Sequence, residues 1–118
     1  MLDLQHLEKQ ISSRDLFEAF KNQLAKDFEQ SNFQTDFIYS LEPDFDKLCQ
    51  TIASELQRSE SRADAKLPAL LYRVDISETQ LMKQLTDNTD KNYYANVAEL
   101  IIKRVLQKVV IKQYYKNR

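Results

Sequence analysis

Apolar side chains recur along this chain at the three- and four-residue spacing of helices, and polar clusters punctuate them. Leu2, Leu4, Leu7 and Ile11 predict a short first helix. Ser12, with Asp15 three residues later and Ile11 and Leu16 as a hydrophobic staple, marks the start of a second. Phe17, Phe20, Leu24 and Phe28 carry that helix to about Gln30. Residues 31–42 are mixed: Phe33, Phe37, Ile38 and Leu41 are apolar, and Ser31 or Thr35 is placed to cap a short helix. Pro43 suits the first turn of a third helix, with Asp44 and Asp46 near the positive end of its dipole. Its core stripe reads Phe45, Leu48, Cys49, Ile52, Ala53 and Leu56.

Ser59 to Lys66 is the most polar stretch and reads as an exposed connection, too short to separate domains. Pro68 opens a further short helix through Leu70, Leu71 and Val74. Ser77 and Gln80 form a capping box, with Ile76 and Leu81 as its staple. Thr86 to Asp90 is a loop rich in N-cap residues, leading into the longest predicted helix, Lys91 to Lys116. Tyr93, Tyr94, Val97, Ala98, Leu100, Ile101, Ile102, Val105, Leu106, Val109 and Val110 cover most of the circumference of that helix. A helix so widely apolar needs neighbours on several sides, so it is expected at the centre. No segment alternates with the period of a strand. The expected fold is all-α: one domain spanning 1–118, an antiparallel bundle of four to six unequal helices around a long C-terminal one.

Composition sharpens this picture. The 118 residues include no glycine, where ordinary usage would give roughly eight. Phosphate-binding loops, dinucleotide fingerprints, nucleophile elbows and EF-hand turns all need glycine's backbone freedom and are therefore not expected. A net charge of −1 offers no global attraction to nucleic acid or anionic membrane. The charge is uneven, however. Residues 1–59 hold 6 basic against 11 acidic side chains, and residues 60–118 hold 11 against 7. Packing the last helix on the first ones would satisfy that asymmetry internally. The acidic, non-apolar start does not read as a secretory signal, and no run approaches the 18 apolar residues of a membrane span. With one cysteine, a cytoplasmic location is expected.

Chemistry-bearing residues are few. His6 is the lone histidine and Cys49 the lone cysteine, too few for a catalytic zinc or a di-iron site within one chain. Cys49 lies on the stripe of Phe45, Ile52 and Leu56 and reads as an inert core thiol. Asp44, Asp46 and Glu55 match three calcium-loop positions, but Cys49 stands where the loop needs glycine. Asp75 reads as part of the turn before Ser77. No cofactor or metal is expected.

The end of the last helix departs from the pattern. Tyr94, Ala98, Ile101, Val105 and Val109 share a face whose continuation brings Lys112 and Lys116, while Ile111, Tyr114 and Tyr115 lie on another side. One reading is that a further helix of the bundle covers Ile111 and Tyr115. The other is that Arg104, Lys108, Ile111, Lys112, Tyr114 and Tyr115 present a basic and aromatic surface to a partner. The expected function is accordingly a non-enzymatic interaction module that binds another protein or a second copy of itself through this helix. The alternatives are a small-ligand bundle or enzyme with a cavity between helices, and weak nucleic-acid binding through Arg104, Lys108, Lys112 and Lys116 with stacking tyrosines.

Overall fold

The computed structural model of the protein describes Lys9 and residues 11–60 and 66–116, apart from the side chains of Glu60 and Lys116. Among these residues there are five α-helices, one short 3₁₀ segment and no strand. The helices are α1 (Arg14–Gln30), α2 (Phe45–Glu60), α3 (Leu67–Val74), α4 (Glu78–Asp87) and α5 (Tyr93–Lys116), with the 3₁₀ turn at Asp36–Ser40 between α1 and α2. The expected first helix falls mostly on residues outside the described set, as do His6 and most of the polar stretch after Ser59. Ile11, at the end of that first segment, is buried in the core.

Two helix starts differ from expectation. The Ser12 hydroxyl donates to the Lys9 carbonyl at 2.7 Å, so Ser12 closes the preceding turn and Ser13 becomes the N-cap of α1. Pro43 stands just before α2 instead of in its first turn. Asp44 caps that helix, its carboxylate accepting from the Lys47 amide at 3.1 Å, because an acceptor that satisfies an orphan N–H outcompetes a ring that merely lacks one. The capping box of α4 forms as expected: Ser77 Oγ accepts from the Gln80 amide at 3.1 Å, and Gln80 Oε1 from the Ser77 amide at 2.9 Å. The last helix begins at Tyr93, with Asn92 Oδ1 accepting from the Ala95 amide at 2.8 Å.

Helices α1 and α3 each end in the reverse turn that most chains build on glycine. Here Asn32 (φ 67°) and Asp75 (φ 70°) take the left-handed position, which short polar side chains tolerate best among residues with a Cβ. The amides of Asn32 and Phe33 return to the carbonyls of Glu29 and Phe28, and those of Asp75 and Ile76 to Tyr72 and Leu71. This is the Schellman pattern, including its apolar clasp. The Phe28 and Phe33 rings lie 5.1 Å apart.

Helix α5 packs against all four other α-helices, most extensively α2, which makes it the central element. Val97, Ala98, Ile101, Ile102, Val105 and Leu106 are fully buried, and Phe20, Leu24, Phe28, Leu48, Ile52, Leu56 and Leu70 close around them. Helix α1 runs antiparallel to α5, because Lys108 reaches Asp27 while Lys112, one turn further on, reaches Gln23, one turn back. Helix α4 folds back on the start of α5 as a hairpin. No described helix is long and apolar enough to cross a membrane.

Candidate interaction surface

Val110 still packs partly against the core, and the last buried residue among those described in α5 is Val109. Two residues later Ile111 is 46% exposed, and Tyr114 and Tyr115 are 63% and 64% exposed. Neither residues 33–42 nor a described helix covers Ile111 and Tyr115, while the expected short first helix, the other candidate cover, lies mostly outside the described residues. The reason is the length of the covering elements. At roughly 100° per residue, Tyr93, Leu100, Arg104, Ile111 and Tyr115 lie along one side of α5. Helix α4 bonds to the flank of that side at Asn96 and Glu99, and the α3–α4 turn reaches it at Arg104. Beyond Arg104 both have ended. Ile111, Tyr114 and Tyr115, at i, i+3 and i+4, therefore form a short apolar ridge, stiffened by the edge-to-face contact of the two tyrosines at 5.4 Å.

The cations assigned to the same surface turn away from it. Arg104 forms an ion pair with Asp75 at 2.8 Å and also donates to Gln107 at 2.8 Å. Lys108 lies 3.4 Å from Asp27, a carboxylate almost wholly enclosed between α1 and α5. Lys112 donates to Gln23 Oε1 at 2.8 Å. Of the six residues read as one surface, the structure brings Ile111, Tyr114 and Tyr115 together outside and gives Arg104, Lys108 and Lys112 partners within the chain. Lys116's side chain lies outside the described residues.

A second apolar surface was not legible as such. A groove of about 500 Å³ opens between α3, α4 and the start of α5, lined chiefly by Leu67, Leu71, Tyr72, Ile76, Leu81 and Tyr93. Two helix-end motifs meet there. Ile76 belongs both to the turn that closes α3 and to the staple that opens α4. Tyr72, 88% exposed, lies on the side of α3 away from Leu67, Leu70 and Val74. An aromatic on the polar side of a short helix was the available signal.

Compared with known families, characterised proteins and solved structures, the chain matches none significantly.

Two polar clusters sit deeper. Asn96 is 1% exposed. Its amide nitrogen donates to the carbonyls of Asn88, Lys91 and Asn92 at 3.2–3.3 Å, and its oxygen accepts from Gln84 at 3.1 Å. Beside it, Glu99 accepts from Lys91 at 2.7 Å, Lys103 at 2.9 Å and Gln84 at 3.2 Å. Burial pushes the Glu99 carboxyl up, but its bonds to Lys91 and Lys103 outweigh that and hold it below its ordinary value. The hydrogen bond to Glu99 in turn raises the Lys91 ammonium. Cys49 is pushed up to about 12, first by burial and then by the Glu99 charge, so it is a packed thiol with negligible thiolate near neutrality. The Glu99 charge is thus countered by two ammonium groups. Among the described residues, no group of three or more His, Cys, Asp or Glu side chains is placed to hold a metal ion.

Proposed function

We propose that the protein is a non-enzymatic interaction module whose α5 ridge binds a protein partner. The observation that carries this reading is the exposure of Ile111, Tyr114 and Tyr115 on a helix whose Val97, Ile101, Val105 and Leu106 lie fully in the core. Amphipathic, stiff tyrosines next to an aliphatic side chain are the composition of an interface centre. Engagement of Arg104, Lys108 and Lys112 within the chain favours a protein over a nucleic acid, which needs a row of outward-facing cations.

The test places a photo-crosslinking residue at Tyr115, or at exposed Asp46 on α2 as a control, in the full chain within cells. One dominant protein adduct is expected from position 115. It should disappear when Ile111→Asp is added, with none forming from position 46. The same adducts from both positions would overturn the reading. So would loss of helicity in the Ile111→Asp, Tyr115→Asp double variant, because exposed ridge residues should change stability by no more than about 0.5 kcal/mol each.

A further inference from the structure

We propose that α4 is a strap that unwinds while the rest of the fold stays intact, its two ends remaining tied, so that the groove between α3 and α5 has a closed and an open form. This motion is independent of the α5 ridge.

Burial singles this helix out. None of its ten residues is buried; Leu81, Gln84 and Leu85 are half-buried and the other seven are exposed. Helix α3 is shorter, at eight residues, yet its Leu67, Leu70 and Val74 are sealed in the core. A ten-residue helix does not hold itself in water, where about 12–15 residues are needed even for favourable sequences. Helix α4 therefore stands on its contacts. Its capping box fixes where it starts but ties it to nothing else. Across to α5, the Gln84 amide nitrogen donates to Asn96 at 3.1 Å and to Glu99 at 3.2 Å. Breaking these bonds costs the partners little. Glu99 keeps Lys91 and Lys103, and the Asn96 amide nitrogen keeps its backbone carbonyls.

The ends are held more firmly. Before α4, Ile76 is buried and its amide donates to the Leu71 carbonyl at 2.9 Å, closing α3. After α4, Asn96 donates to the carbonyls of Asn88 and Lys91 at 3.2 and 3.3 Å. The chain is thus pinned on either side of α4 and least buried within it. Such a segment opens by losing its helical turns in place, since a rigid swing would have to tear out one of the pins. Glu78 and Leu81 line the groove from α4. Unwinding takes that wall away and leaves Leu67, Leu71, Ile76 and Tyr93 standing on fixed elements.

The experiment is hydrogen exchange read amide by amide by NMR on the purified full chain, in water and at rising sub-denaturing urea. After correction for intrinsic rates, the amides of residues 82–87 should exchange at least about a hundredfold faster than those of residues 101–106, and depend little on urea. The Ile76 amide should keep the slow rate of residues 71–74 in α3. A Leu24→Val variant separates local from global opening. Leu24 is fully buried on α1 beside Gln23, at the Lys112 end of α5, whereas α4 meets the Asn96 end. The variant should speed residues 101–106 about fivefold and leave residues 82–87 within about twofold of wild type. Amides of α4 as slow as those of α5, or quickened in step with them by Leu24→Val, overturn the proposal, because α4 then opens only with the whole fold. Exchange of Ile76 and residues 71–74 at the fast rate of α4 overturns it as well, because α3 and α4 then leave as one piece.

Discussion

Asn96 has two amide hydrogens and faces three carbonyls, those of Asn88, Lys91 and Asn92. One buried side chain thus fastens the whole α4–α5 turn. Asn96→Leu, similar in size but without donors, leaves those carbonyls and the Gln84 amide short of a partner. It should cost about 2–4 kcal/mol in urea unfolding. Glu99 makes stability depend on pH. Its folded carboxyl lies below its ordinary 4.5, so the fold favours the ionised form. That stability is present above the ordinary value and is lost as pH falls through the lowered one. Glu99→Gln should therefore be less stable at about pH 7 and lose less between there and about pH 3 when unfolding midpoints are compared. Cys49 offers a simpler readout: with its thiol pushed up to about 12, it should react with a thiol reagent near pH 8 far more slowly in the native protein than in denaturant. The core placement of Cys49 was legible in its stripe with Phe45 and Ile52. The roles of Asn96 and Asp27 were not, because a polar residue in an apolar stripe reveals its partner only when another helix arrives.

At the scale of elements, local chemistry shows in the sequence wherever the competing bonds are local too. The α4 capping box needs only Ser77 and Gln80, and it forms as read. Ser77→Ala should cost about 1 kcal/mol by the same urea measurement, and loosen Ile76 and Leu81 on the groove wall. At α1 the cap moved from Ser12 to Ser13, since Ser12 had a nearer carbonyl in Lys9; at α2 the helix starts at Phe45, after Pro43 instead of with it, because Asp44 supplies the capping acceptor. The chain's lack of glycine pointed to helices but did not say how they would end. Asn32 and Asp75 do that work, and Asp75 also pairs with Arg104. The apparent change of face in α5 was visible as a break in periodicity. Its cause, that α4 and the α3–α4 turn end before α5 does, depends on helix lengths and packing and was not.

For the molecule as a whole, the uneven charge of the two halves is partly answered across the α1–α5 seam. Asp27, nearly sealed from solvent, accepts from Gln23 at 3.2 Å and meets Lys108 at 3.4 Å. Removing only the cation strands a buried carboxylate. Lys108→Met should destabilise by about 2 kcal/mol, below the full value for a sealed pair because Lys108 is partly exposed. Pairing it with Asp27→Leu should recover most of that loss in a double-mutant cycle.

The central position of α5 also sets an order of events during synthesis. Residues 11–90 leave the ribosome before the helix on which α1, α2, α3 and α4 all pack. At ~5–20 residues per second, translating the 24 residues of α5 takes roughly one to five seconds, during which Phe20, Phe28, Leu48 and Ile52 lack their principal cover. A nascent chain stalled before Tyr93 should be digested readily by protease, and one extended past Lys116 and clear of the exit tunnel should resist.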